Sequence, residues 1–286
     1  MDNTLLAGGL GAIVGVILAL TGAGGGSLAV PLLVFGLRLP MQQAAPVALV
    51  AVGLASGLGA VLGLRDGLVR YRAAALIGLT GMALAPLGVW LAQHLPTAPL
   101  MLMFSVVMGQ SAWRMWRASR SDAAPTPAGE EPQLPQERRP CRINPNEGRL
   151  TWTRPCARAL AGIGMLSGLL SGLLGVGGGF VIVPALTRHT DISPRGIAAT
   201  SLAVIALVSM GGITAAAGHG TFPWSVAAPF GLGAASALLL GRQVAHRLAG
   251  RRLQQIFALL CAGVTLTMAA KALLSWASAA PTHGLM

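Results

Sequence analysis

Long runs of apolar residues alternate with short polar segments along most of the chain. Six runs have the ~20 residues that a helix needs to cross a ~30 Å hydrocarbon core, and they lie at about 44–64, 73–93, 98–116, 197–217, 225–241 and 253–275. Two other apolar regions, at about 4–37 and 160–187, are longer, and glycine interrupts each near its middle. A straight helix over either region would exceed the hydrocarbon thickness at 1.5 Å per residue. Both regions are therefore predicted to break or to tilt steeply.

Composition indicates an all-α integral membrane protein. Hydrophobic residues make up 54% of the chain and charged residues 10%, whereas soluble domains carry about 25% charged residues. The net charge is +12, but the arginines flank the apolar runs and do not form one stripe. This distribution argues against a nucleic-acid binder and is typical of the positive-inside rule, with the lipid bilayer as partner.

The polar segment 118–158 divides the chain into a first transmembrane repeat, 1–117, and a second, 159–280. It is rich in Pro, Arg and Glu, which predicts a flexible soluble linker. Cys141 and Cys156 lie in it, and Cys261 lies in an apolar run. Without a nearby His pair these cysteines predict no metal site. We interpret them as unpaired thiols in a reducing cytoplasm, and we expect no cofactor.

The two transmembrane regions are predicted to be tandem homologous repeats. A shift of 153 residues places Gly22 on Gly175 and aligns the stretch "GAGGGSLAVP" with "GVGGGFVIVP". The same shift places Ser56 on Ser209. Matched Gly and Pro over so long a stretch without a gap indicate a duplication, as in many transporters.

Charge favours an inverted arrangement of the two repeats. If each glycine-broken segment folds back as a re-entrant hairpin, the arginine-rich loops and the linker all face the cytoplasm, as the positive-inside rule requires. Each repeat then has one broken segment and three transmembrane helices. Eight plain spans are the alternative, but they would place the loop around Arg247 outside.

The glycine runs predict a substrate site. Broken backbone survives in a membrane only where it faces protein or a watery cavity. New half-helices, predicted at 27–35 and 180–186, would offer N–H groups and a positive dipole end to an anion without any charged side chain. The candidate substrate-binding residues are Thr21, Gly22, Gly24, Gly25, Gly26, Ser27, Gly175, Gly177, Gly178 and Gly179.

Further residues are candidates for the same site, and the glycines also have an alternative interpretation. Pro31 and Pro184 close the two runs and are candidate helix-break residues. Ser56, Thr200, Ser201 and Ser209 are candidates for lining the pathway. The alternative is that the glycines serve only as hinges or for close helix packing, as the four-residue spacings of Gly11 with Gly15 and of Gly164 with Gly168 and Gly172 indicate.

The paired motif from Gly22 to Pro31 and from Gly175 to Pro184 resembles the TauE/SafE family of sulfite-exporter-like membrane proteins. The resemblance covers nearly the whole chain except the linker. It implies a secondary transporter, an exporter of small sulfur-containing anions such as sulfite or sulfonates, in the cell inner membrane. We expect a multi-pass membrane protein whose linker is cytoplasmic, and we do not expect an enzyme. Whether the protein forms a homo-oligomer stays open. The alternative function is a membrane-embedded assembly or interaction factor that docks through the linker.

Overall fold

The structure is a computed structural model that describes residues 2–120, 141, 153–218, 222–248 and 251–279. The described residues form helices and short connections, with no strand among them, which confirms the all-α prediction. The helices are α1 (Asp2–Thr21), α2 (Ala29–Gly36), α3 (Met41–Arg65), α4 (Tyr71–His94), α5 (Thr97–Arg120), α6 (Arg154–Leu174), α7 (Gly179–His189), α8 (Pro194–Gly218), α9 (Trp224–Leu248) and α10 (Arg251–Ala279).

Five helices of the described part are long and apolar enough to cross a membrane: α3, α4, α6, α8 and the first part of α9, Trp224–Gly241. The sequence predicts membrane spans at α5 and α10 as well, but the described residues of these two helices are not long and apolar enough by the same criterion. Gln110 and Arg114 make the second half of α5 more polar, and the apolar part of α10 is Ala258–Ala272. Helix α6 begins at Arg154, five residues before the predicted bound of the second repeat, because the Thr153 side chain accepts a hydrogen bond from the Cys156 N–H at 3.3 Å.

Most helix bounds of the second half follow those of the first at or near the same offset. Helix α3 spans Met41–Arg65 and α8 spans Pro194–Gly218, 153 residues later at both ends. The main helix pairs each join one helix of the first half with one of the second. Helix α1 packs mainly on α9, and its counterpart α6 packs mainly on α4. Helix α3 pairs with its own counterpart α8, and α5 pairs with its counterpart α10. Neither half therefore buries its own first helix.

Glycines allow the crossed helices to approach to backbone contact. A methyl group on Gly15 would collide with the backbone of Ala234, and one on Gly168 would collide with the backbone of Gly81. These two contacts correspond across the offset of 153 residues. The close-packing role predicted for the four-residue glycine spacing is therefore present, in addition to the breaks.

Contacts between helix ends define two faces of the bundle. The Arg70 N–H donates to Thr200 Oγ1 at 3.1 Å and joins the starts of α4 and α8. On the other side Gln42 Nε2 donates to Thr97 Oγ1 at 3.0 Å, which joins the starts of α3 and α5. We call the first side the positive face, because every arginine of the described residues except Arg38 lies at or near it.

The cysteine prediction is wrong for one pair. Cys141 and Cys156 form a disulfide with a Cα–Cα distance of 5.0 Å, within the range that disulfides require. The Cys141 N–H also donates to the His189 carbonyl at 3.3 Å. The disulfide therefore holds one linker residue between the start of α6 and the end of α7, and these two ends lie side by side on the positive face. Cys261 is buried and free, as predicted.

Candidate functional site

The first glycine run forms a compact reversal of the chain. Helix α1 ends at Thr21, a 3₁₀ helix covers Gly22–Leu28, and α2 follows. A methyl group on Gly25 would lie 2.5 Å from the Leu18 backbone nitrogen, so only glycine permits this approach. Further along, Gly36 at the end of α2 lies against a Leu10 side chain in the middle of α1. Helix α2 therefore runs back along α1.

The second glycine run reverses the chain with a different backbone. Gly175, Gly177 and Gly178 have φ of 73°, 74° and 73°, a left-handed conformation that other residues rarely adopt. Gly178 also packs directly on Ser167, whose hydroxyl donates to the Gly178 carbonyl at 3.4 Å. Helix α7 then runs back along α6 to the disulfide.

The two breaks meet in the interior of the bundle. A methyl group on Gly26 would lie 3.0 Å from a Val52 methyl and 3.2 Å from the Val176 carbonyl oxygen. One on Gly177 would lie 2.8 Å from the other Val52 methyl and 2.9 Å from an Ile205 methyl. Val52 of α3 therefore touches both breaks, and Ile205, its counterpart 153 residues later, touches the second. The structure therefore brings Gly26 of the first break beside Val176 and Gly177 of the second, whereas Gly25 packs within the first break, Gly175 packs on Ala45 and Gly178 packs on Ser167.

The side chain of Thr21 and the surroundings of Gly22 and Gly24 lie outside the described part. Ser27 is buried, and its hydroxyl pairs with the thiol of Cys261 on α10. It is therefore engaged with another helix. Sequence reasoning did not anticipate this contact, because the spacing of the two residues gives no sign of it.

The four pathway candidates divide into two pairs. Thr200 accepts the Arg70 N–H near the positive face, and Ser201 donates to the Ala198 carbonyl at 2.9 Å, so both have local partners away from the breaks. Ser56 and Ser209 are fully buried, and their hydroxyls have no hydrogen-bond partner among the described residues. Each lies one turn along its helix from Val52 or Ile205.

Ser171 is a third buried serine near the breaks. Its hydroxyl has no hydrogen-bond partner among the described residues, and it lies three residues before the end of α6 and hence beside the second break. Buried polar atoms are almost always paired in proteins. Three unpaired hydroxyls around the two breaks therefore indicate a place where a polar ligand or water is held.

The prolines do not interrupt the helices. Pro31 lies in the first turn of α2, where a missing N–H costs nothing, and Pro184 lies within α7. The breaks end before them, because the glycines alone supply the required backbone. Helix α7 begins after Gly178 with no side-chain cap and no acidic residue in its first turn. Its first N–H groups and dipole end can therefore receive an anion.

Comparison with known proteins identifies the chain's relatives. Residues 7–268 match the model of a family described as sulfite exporter TauE/SafE. Probable membrane transporter proteins from two strains of Xylella fastidiosa are 30% identical over 276 residues, which cover 94% of this chain and 95% of theirs. A probable membrane transporter protein from Methanocaldococcus jannaschii is 26% identical over 210 residues, 71% of this chain and 68% of its own. No solved structure matches the chain significantly.

Proposed function

Because the chain belongs to the sulfite exporter TauE/SafE family, and is therefore a membrane transporter, we propose that it is a secondary exporter of small sulfur-containing anions. Sulfite and short sulfonates are the substrates that we propose. The relatives are named only as probable membrane transporters, so the substrate class rests on the family description and on the site. This function needs no catalytic residue and no cofactor.

One observation carries the proposal: the two glycine breaks meet around Val52, with partnerless buried hydroxyls beside them. We propose that the anion binds there, between the start of α7 and the hydroxyls of Ser56 and Ser209. Helix N-termini bind oxyanions through backbone N–H groups, and each serine adds one donor. Binding would rely on these fixed dipoles, since no acidic or basic residue lies in either break.

We propose that the two halves are inverted repeats that rock around this site. The supporting observations are the offset of 153 residues at both ends of α3 and α8, the crossed packing of α1 on α9 and α6 on α4, and the two chain reversals. In inverted-repeat transporters the site lies where the repeats meet near the bilayer midplane. The sharing of first helices between halves would couple their movements.

We propose that the positive face is cytoplasmic and that the protein lies in the cell inner membrane. The arginines support this orientation, since Arg38 is the one arginine of the described residues at the opposite face. Cys141 and Cys156 would then form their disulfide on the cytoplasmic side, where stable disulfides are rare. With this orientation we expect the two cysteines to be mostly reduced in the cell.

Flux measurements in everted inner-membrane vesicles test the proposed function. Uptake of sulfite, thiosulfate, a short sulfonate and sulfate is compared between vesicles with the protein and vesicles without it. We expect uptake of sulfite or the sulfonate, which corresponds to export from the cell. Since the apolar runs contain no carboxylate, we expect the rate to follow membrane potential more than a pH gradient. Equal uptake of all four anions with and without the protein would refute the proposal.

A further inference from the structure

A groove of about 310 Å³ opens between α5, α6 and α7 at the positive face. Its polar end is formed by Gln110, Ser111 and Arg114 of α5 together with Arg188 and His189 of α7. The remaining lining is apolar. The groove therefore places two guanidinium groups at the rim of a cleft with low-dielectric walls, an arrangement that concentrates positive potential.

The groove follows α7 along its length. Phe180, Pro184 and Arg188 all line it, and they stand four residues apart on one side of the helix. Eight residues of α-helix span about 12 Å. Phe180 is the second residue of α7 and directly follows the glycine break. The groove therefore leads from the arginines at the positive face to the break that contributes to the proposed site.

We propose that this groove is the access path for the anion on the positive face, and that Arg114 and Arg188 bind the anion at its mouth. The proposal rests on the transport function proposed above and adds a second binding place to it. Guanidinium groups hold oxyanions through paired N–H donors. The apolar wall beside Phe180 leaves room for the short alkyl part of a sulfonate.

The counterpart of this groove, beside α10 and α2, lacks the two guanidinium groups. The offset of 153 residues places Thr267 where Arg114 stands and Phe35 where Arg188 stands. In the structure the Lys271 ammonium lies 4.8 Å from the centre of the Phe35 ring, so an aromatic ring occupies that place. The counterpart place therefore carries one cation, Lys271, beside an aromatic ring, in contrast to the two arginines at the positive face. With the positive face in the cytoplasm, this asymmetry favours loading for export.

The first test measures sulfite flux as a function of sulfite concentration in reconstituted phosphatidylcholine vesicles. We compare wild type with Arg114→Gln and Arg188→Gln, and with Arg72→Gln as the matched control. Arg72 is exposed at the same face outside the groove, beside Tyr71. We expect each groove variant to raise KM by roughly tenfold, the effect of one lost charged hydrogen bond, with little change in maximal rate. Arg72→Gln should keep the wild-type KM.

The second test needs no transport. Ala185 lines the groove, and a cysteine there (Ala185→Cys) can be labelled with anionic and cationic methanethiosulfonate reagents applied from the positive face. We expect the anionic reagent to be favoured, and Arg188→Gln to remove that preference. A cysteine at Thr187 (Thr187→Cys), which is not part of the groove lining, serves as the control.

The two tests separate the groove from the transport function. If wild type moves sulfite while both groove variants keep its KM and the labelling preference, the access path is wrong and the transport function stands. If wild type moves no sulfur anion, the transport function fails, and the labelling preference still decides whether the groove attracts anions.

An anionic phospholipid is the competing occupant, because basic pockets between helices on the cytoplasmic side also bind lipid headgroups. Flux is therefore also measured with phosphatidylglycerol added to the vesicles. If Arg114→Gln and Arg188→Gln abolish a stimulation by phosphatidylglycerol and leave KM unchanged, the groove holds lipid and the proposal is overturned.

Discussion

Replacing Ser209 with alanine is expected to stabilise the protein and weaken anion binding at the same time. The Ser209 hydroxyl is fully buried and has no hydrogen-bond partner within the part of the chain that the structure describes. An unpaired hydroxyl costs about 1–3 kcal/mol in the folded state, and alanine removes that cost. In the loaded transporter the same hydroxyl would donate to the anion. Ser209→Ala should therefore raise the stability of the protein and lower its affinity for the anion only if the anion binds where we propose.

The sizes of both effects follow from the structure. Relief of about 1 kcal/mol raises the melting temperature by roughly 2–4 °C for a protein of this size class. A hydrogen bond to a charged partner contributes about 1.5–3 kcal/mol, so its loss should raise KM by roughly 10- to 150-fold. Ser56→Ala should behave alike, since Ser56 is the counterpart of Ser209 and is equally buried and unpaired.

Thermal unfolding in detergent and sulfite flux in vesicles measure the two effects, and Ser105→Ala is the matched control. Ser105 is also buried, but its hydroxyl donates to the Met101 carbonyl at 2.8 Å, and the other half has Ala258 at the corresponding place. We expect no gain in stability and an unchanged KM for this control. Unchanged KM in Ser209→Ala would show that the serine only packs, and would refute our reasoning about the site.

Four further predictions address the second break, the first break, the disulfide and the linker. Gly178→Val should abolish flux, since the left-handed backbone disfavours a side chain by about 1–2 kcal/mol and Ser167 fills the space. Gly26→Ala should reduce flux partially, since its methyl would lie 3.0 Å from the nearest atom, a Val52 methyl, and no left-handed backbone opposes the side chain. Alkylation of intact cells followed by mass spectrometry of the protein should find Cys141 and Cys156 reduced. A permanent disulfide would favour a non-cytoplasmic positive face. Deleting 123–137 should preserve most flux, whereas a docking factor would lose its activity in cells.

The helices were predictable because membrane spans need long apolar runs and leave a plain signal in the sequence. The run expected at 44–64 lies within α3, and the run at 197–217 lies within α8. Which helices pack together was not predictable. The contact of Gly15 with Ala234 joins residues from different halves, and helices of nearly uniform hydrophobicity show no preferred face to indicate it.

Details of the site depend on three-dimensional contacts that spacing does not reveal. Ser56 and Ser201 look alike in sequence, yet only Ser201 reaches a backbone carbonyl. The disulfide was not predicted, because the lack of zinc-ligand spacing does not show whether two cysteines pair with each other. Its one signal was that the two linker cysteines, Cys141 and Cys156, both flank the second broken segment on its N-terminal side.

The difference between the two breaks gives direction to an otherwise symmetric molecule. A continuous 3₁₀ helix at Gly22–Leu28 leads into α2, so few N–H groups there are released, whereas the left-handed turn before α7 leaves the start of that helix open. The open helix start is also the one that the arginine groove reaches. The second half therefore supplies the uncapped helix start and Arg188, while α5 of the first half supplies Arg114 of the charged entrance. A charged entrance on the positive face that leads to the uncapped helix start would let the transporter gather an anion from that face and release it to the other.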